Sequence, residues 1–353
     1  MDNYNSTLVS YKANPHYWGG TPAAPEINVP SYASNTDAAT ALASGALQWA
    51  GNDIANVNKI FVNVNKATNH TFFAPGSTVT LELNVTKAPL NDPKVRAAIS
   101  AGINRQQLSV KAETGYEAPA TSLSGLILPS QAGYLNPLYK NDIKATNQPK
   151  TVAKILKSDG YKMAKNGFWE KNGKEIKFTV QDPISYSDYY AGDQLISSEL
   201  KSEGINATVE GVQASAWYTN LASGNFTSVI HWGNGGTDPY TQFDNWLDYK
   251  NSAPLGKTAN ADFGRYHNAK VQAELLILAS TDPANTAAVA AASYPLEKVI
   301  ATTLPVIPLL YGADWDEYST AHYTGFVTAA NPYINPSPGD PQLPYTLMQL
   351  KAS

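Results

Sequence analysis

The sequence predicts an α/β protein of two domains, and three observations predict it. Strand and helix patterns alternate from Ile176 to Trp232, which calls for parallel strands joined by right-handed crossovers. The chain has 353 residues, a length that usually divides into two domains. Its apolar fraction is 43% against 15% charged, enough to build two cores. The balance also excludes function classes. Net charge is −4, without the basic excess a nucleic-acid surface needs. Cysteine is absent, which removes disulfides, thiolate chemistry and thiolate metal sites. No run reaches the roughly 18 apolar residues of a membrane-spanning helix. Met1 is followed by DNYNST rather than by a basic and then apolar export signal.

Each element has its own signal. Tyr4 to Tyr11 reads as a strand that enters a turn at Asn14-Pro15 and Gly19-Gly20. Glu26 to Tyr32 is a second strand, and Asn35 to Ser44 a helix capped by Asn35 or Thr36 and stopped by Gly45. Leu47 to Asn52 returns as strand and loop. Val79, Leu81, Leu83 and Val85 alternate, the pattern of a half-buried strand. Asp92 is an N-cap with Pro93 at the first helical position, and Val95, Ile99, Ile103 and Leu108 share an apolar face. Residues 112–148 read as loop, and Pro149 to Ser158 as a helix.

The central unit follows. Ile176 to Val180 is a strand, Ser187 to Glu203 a helix closed by Gly204, and Ile205 to Val209 a strand. Ala214 to Ser223 is a helix and Thr227 to Trp232 the third strand. Helices are expected at 268–279 and 284–302, a strand at 306–311, and a proline-rich irregular tail until Tyr345.

Ligands of such sheets bind beyond the carboxyl ends of the strands. There lies the stretch VIHWGNGGTDPYTQFDNW, residues 229–246. Its glycines tolerate backbone angles other residues avoid. It reads as an aromatic-rich loop carrying tryptophan, tyrosine, asparagine and aspartate. Apolar sugar faces stack on such rings, and hydroxyls bond the amides and carboxylates. Trp232 and Trp246 also fit an ordinary core. Trp217 shares a helix face with Leu221 and reads as core, and Trp18 as part of a structural turn.

Four stretches together resemble a known family. They are NPHYWGG at 14–20, SGALQWAG at 44–51, LELNVTKAPLNDPKVRAAISAGINRQQL at 81–108 and LPVIPLLYG at 304–312. The chain resembles the extracytoplasmic solute-binding proteins of ABC transporters, of the large type that takes dipeptides, oligopeptides or oligosaccharides. The resemblance implies a two-lobed periplasmic-binding-protein-like α/β fold, type II, of the large cluster C type. It implies residues 1–85 and 306–353 in one lobe and 86–305 in the other, with hinges near 83–88 and 304–308. In that family some 150–200 residues precede NPxYWGG, so the N-terminal part of the first lobe is expected to be missing. The expected partners are the ligand and the transporter's permease subunits. A lipid anchor on the missing part would supply the membrane contact, and the complete protein would be monomeric. No cofactor or metal is expected.

The same resemblance bears on the ligand. Peptide-binding relatives follow the strand tryptophan with W-x-A-D-Y, whose aspartate pairs with the peptide amine. Here Gly235 stands three residues after Trp232, and an unpaired buried ammonium is costly. WAGND at 49–53, NHTFF at 69–73 and SAPLGKTANADFGRYHNAKV at 252–271 are similar to oligosaccharide-binding members. An oligosaccharide is therefore the expected ligand. A peptide remains the alternative if Asp238 serves the amine. The candidate contacts are Trp49, Asn52, Trp232, Asn234, Tyr240, Asn245, Trp246, Tyr311, Asp314 and Trp315.

An enzyme is the remote reading. A glycoside hydrolase needs two carboxylates about 5–10 Å apart across the scissile bond, and Asp238, Asp244, Asp314, Asp316 and Glu317 offer candidates. There is no G-x-S-x-G elbow, no H-E-x-x-H spacing and no Walker A loop. His231 reads as a strand residue packed near the site, not as a base.

Overall fold

The computed structural model describes residues 3–339 and 342–353. The chain forms two compact units, residues 1–74 with 313–353 and residues 75–312.

The larger unit is built on a six-stranded sheet. Its order is Asn206–Val212, Lys177–Pro183, Ser228–His231, Ala74–Leu83, Val306–Asp314 and Ala118–Pro119. The first three strands are parallel, with Lys177 opposite Asn206 through Pro183 opposite Val212, and Val180 opposite Ser228. The helices Ser187–Ser202 and Ala214–Ser223 supply the crossovers, as the alternating pattern requires. Ser228–His231 then pairs antiparallel with Ala74–Leu83, so the sheet is mixed. Val79, Leu81 and Leu83 are buried as expected, but the alternate residues Thr78, Thr80 and Glu82 are buried too. The strand is central and covered on both faces, not half-exposed.

The helix Pro93–Gly102 begins where the cap predicted, with the Asp92 carboxylate accepting from the Lys94 N–H at 2.8 Å. Its apolar side, Val95 and Ile99, joins Ile103 and Leu108 in the core under the sheet. A second core gathers Phe243, Trp246, Leu247, Leu275, Leu296 and Ile300. Residues 162–175 add a small antiparallel meander, which the sequence reading missed. The buried Trp169 anchors it through its indole N–H to the Glu203 carbonyl at 2.8 Å.

The smaller unit holds two three-stranded antiparallel sheets, Asn3–Tyr4 with Leu8–Lys12 and Glu26–Pro30, and Trp49–Ala50 with Glu317–Ser319 and Asn69–Thr71. The expected strand from Tyr4 to Tyr11 is instead a hairpin. The Asn5 side chain accepts from the Thr7 and Leu8 N–H groups at 2.9 and 3.0 Å, an Asx turn that reverses the chain. The helix Asn35–Ser44 is capped by Ser34, one residue before the expected caps. The tail closes with a helix at Leu343–Gln349. Trp18, expected to be structural, is 91% exposed, its ring 5.4 Å from that of Tyr17.

Candidate functional site

The parallel strands of the larger unit end at Pro183, Val212 and His231, and Trp232 follows the last of these directly. Trp232 is half-buried and packs against two apolar clusters. Its indole lies 5.7 Å from that of Trp217 and 6.3 Å from the Tyr189 ring. His231 stacks on it with centroids 4.5 Å apart and planes 16° from parallel. Trp217 is fully buried, as its helix spacing with Leu221 predicts.

The next residues leave the sheet as a loop packed on its own unit. A Cβ at Gly235 would overlap the carbonyl oxygen of Gly76, so only glycine lets the two backbones approach. Gln131, which the sequence reading passed over, clasps the loop. Its amide donates to the Gly236 and Asp238 carbonyls at 3.2 and 3.3 Å, and its oxygen accepts from the Ile127 N–H at 2.9 Å. The buried Gln242 amide exchanges two hydrogen bonds with it. Asn234 is exposed and its side-chain amide donates to the Asn245 side-chain oxygen at 2.9 Å.

Beyond Pro239 the expected loop is a helix, Tyr240–Leu247. Asp238 lies just before its N-cap Pro239, its carboxylate accepting from the Tyr240 N–H at 2.8 Å. The helix changes the standing of three candidates. Trp246, 2% exposed, points into the second core with Phe243 and Leu247; it is a core residue, because helical spacing puts these three on the inner side. Tyr240 packs partly against that core and donates its hydroxyl to Asp244 at 3.2 Å. Asn245 is spent on the Thr241 and Asn234 side of the loop. Tyr311 is also buried, its hydroxyl oxygen accepting from the Thr121 N–H at 3.0 Å.

In the smaller unit, Trp49 is half-buried. Its indole N–H donates to the Asp316 carboxylate at 2.6 Å, and its ring meets Phe326 edge-on at 5.3 Å. Burial pushes Asp316 up to about 8, partly offset by that hydrogen bond. Asn52 lies beside it in the loop, its amide 3.3 Å from the Asp53 carbonyl. Trp315 meets Phe73 at 4.8 Å, and Asp314 accepts from the Asn335 amide. Trp49, Asn52, Asp314 and Trp315 thus belong to this unit, and Trp232, Asn234, Tyr240, Asn245, Trp246 and Tyr311 to the other.

Behind Trp232 sits a buried polar group. His231 Nδ1 lies 3.6 Å from Glu82 Oε1. Burial raises Glu82 to about 8 and lowers His231 to about 4, so both are neutral near pH 7. An imidazole packed beside both Trp217 and Trp232 and held neutral is a packing element. Asp182 accepts from the Ile230 N–H at 2.7 Å, and burial raises both it and its neighbour Asp193, the latter to about 7. Among the described residues no group of three or more acidic or histidine side chains is placed to hold a metal ion.

With this geometry in hand, comparison with known proteins is direct. The model of the bacterial extracellular solute-binding proteins, family 5, middle region, matches residues 1–254. The chain belongs to that family. The nickel-binding periplasmic protein of Escherichia coli K12 is 26% identical over 230 residues, covering 62% of this chain and 42% of the relative. The glutathione-binding protein GsiB of the same strain is 30% identical over 219 residues, covering 61% and 38%. The chain thus spans less than half the length of these relatives. A mannohexaose-bound periplasmic oligopeptide-binding protein of Thermotoga maritima superposes with a TM-score of 0.88 at 24% identity, over all of this chain and 68% of the other. The oligopeptide-binding protein AppA of Bacillus subtilis, in complex with a nonapeptide, gives 0.76 at 16%, over all of this chain and 65% of the other. The fold is the two-lobed periplasmic-binding-protein fold.

Proposed function

We propose that the chain is the substrate-binding component of an ABC importer and that its ligand is a neutral oligosaccharide. The observation that carries this is the chemistry at the carboxyl end of the parallel strands. Trp232 offers part of an indole there and Asn234 an exposed amide, while the position three residues after the tryptophan is Gly235, pressed on Gly76. A peptide's ammonium finds no carboxylate at that place. Asp238, the nearest acid in the loop, already accepts from the Tyr240 N–H. A stacking ring with an amide beside it suits a sugar face and its hydroxyls. The Thermotoga protein carries mannohexaose, which shows that this fold accommodates an oligosaccharide in one relative.

A peptide is the second reading, supported by the glutathione-binding and the nonapeptide-bound relatives. The proposed contacts are Trp232 and Asn234 in the larger unit and Trp49, Asn52, Asp314 and Trp315 in the smaller. Permease subunits would receive the loaded protein, and a lipid anchor would hold it at the membrane. The protein would bind its ligand without turning it over. Incubation with cello- and manno-oligosaccharides, followed by chromatography, should return them uncleaved. Titration calorimetry against oligosaccharides and against di- to pentapeptides, using the longest form the gene encodes, decides the ligand class. Tight peptide binding with no sugar binding would overturn the proposal.

A further inference from the structure

The helices that follow the other two parallel strands also bring aromatic residues to this end of the sheet. After Pro183 the chain turns through Ile184 and Tyr186 into the helix 187–202, and after Val212 it enters the helix that carries Trp217 and Tyr218. The two turns are tied together. The Ile184 N–H donates to the Val212 carbonyl at 3.1 Å, and Gly211 has no Cβ to obstruct the Ile184 side chain lying over it. The Tyr186 and Tyr218 hydroxyls meet at 3.2 Å. Both rings lean nearly upright on the buried Trp217, with centroids 6.1 and 5.0 Å from it. Trp217 also lies 5.7 Å from Trp232.

One buried indole therefore supports three outer rings along a single sheet edge. Tyr218 is 49% exposed and Ile184 is exposed beside it. A tyrosine pair held by its neighbours presents apolar area with little rotamer freedom to lose on binding. Its paired hydroxyls can donate to and accept from a polyol.

We infer that Tyr186 and Tyr218 form a second stacking subsite, outward of Trp232, for a further pyranose ring of the bound oligosaccharide. This rests on the oligosaccharide reading. It assigns Trp217 a supporting role and makes affinity depend on ligand length.

Calorimetry with cello- and manno-oligosaccharides, from disaccharide to hexasaccharide, tests it. Wild-type affinity should rise with length. Tyr218→Ala should weaken the hexasaccharide about tenfold and leave the disaccharide within about twofold, while Tyr218→Phe, which keeps the ring, should retain most of the gain. Tyr186→Ala provides a second variant if Tyr218→Ala melts early. If both alanine variants fold and keep the wild-type length dependence while Trp232→Ala loses affinity, the subsite is wrong and the oligosaccharide reading stands. If wild-type protein binds peptides and no sugar of any length, both fall together.

Discussion

Trp232 and Trp246 look alike in the sequence and differ in what surrounds them. Trp246 sits in the second core, and Trp246→Ala should cost about 3–5 kcal/mol of stability, read as a large drop in the denaturant midpoint. Trp232 is half-buried, so Trp232→Ala should cost less stability and weaken ligand binding by about 2 kcal/mol or more. Unchanged affinity with a collapsed melting temperature would return Trp232 to the core and take the site with it. Gly235 makes a sharper case. Gly235→Ala forces a Cβ against the Gly76 carbonyl, so the loop must shift and Asn234 with it. The expected result is lower affinity together with a lower melting temperature.

At the scale of elements, the sequence was legible where local chemistry decides. Asp92-Pro93 starts a helix because the carboxylate and the ring each settle an orphan donor. Asp92→Ala should therefore cost about 1 kcal/mol, measured by urea unfolding; no change would mean that the cap is redundant. The three parallel strands were legible because strand and helix periods alternate cleanly. The helix 240–247 was not, although Tyr240, Phe243 and Leu247 recur at helical spacing. Four glycine or asparagine residues from Gly233 to Gly236 made the whole stretch look like loop. The Gln131 clasp was invisible for another reason, since it joins residues more than a hundred positions apart. Tyr186 and Tyr218 come three and six residues after their strands end, at the start of the following helices, so the strand ends alone did not mark them. Glu82 alternates with apolar neighbours as a solvent-facing residue would, and only its burial in the folded chain shows that both faces are covered.

At the scale of the molecule, many carboxyls are buried, and this gives a pH dependence. Burial holds Glu82, Asp262 and Asp316 up to about 8 and Asp193, Glu199 and Glu297 up to about 7. The unfolded chain loses these protons near pH 4. Between pH 4 and 8 the folded chain therefore binds more protons, and stability falls as pH rises. His231, lowered to about 4, acts in the opposite sense between pH 4 and 6.5, but it is one group against six. Calorimetric melting should give a higher midpoint at pH 5 than at pH 8; the reverse order would mean that these carboxyls find cationic partners. The family was legible because four stretches keep their order along the chain, and the model match confirms it. The ligand was less legible, because it is set by a few side chains on a shared fold. The central claim is that the strand edge at Trp232 binds a neutral oligosaccharide. Its most direct test is a competitive titration of the longest form the gene encodes, with oligosaccharides and peptides offered to wild type and to Trp232→Ala. The account predicts sugar binding that the substitution weakens about thirtyfold, the equivalent of about 2 kcal/mol. Peptide binding alone, indifferent to Trp232, would contradict it.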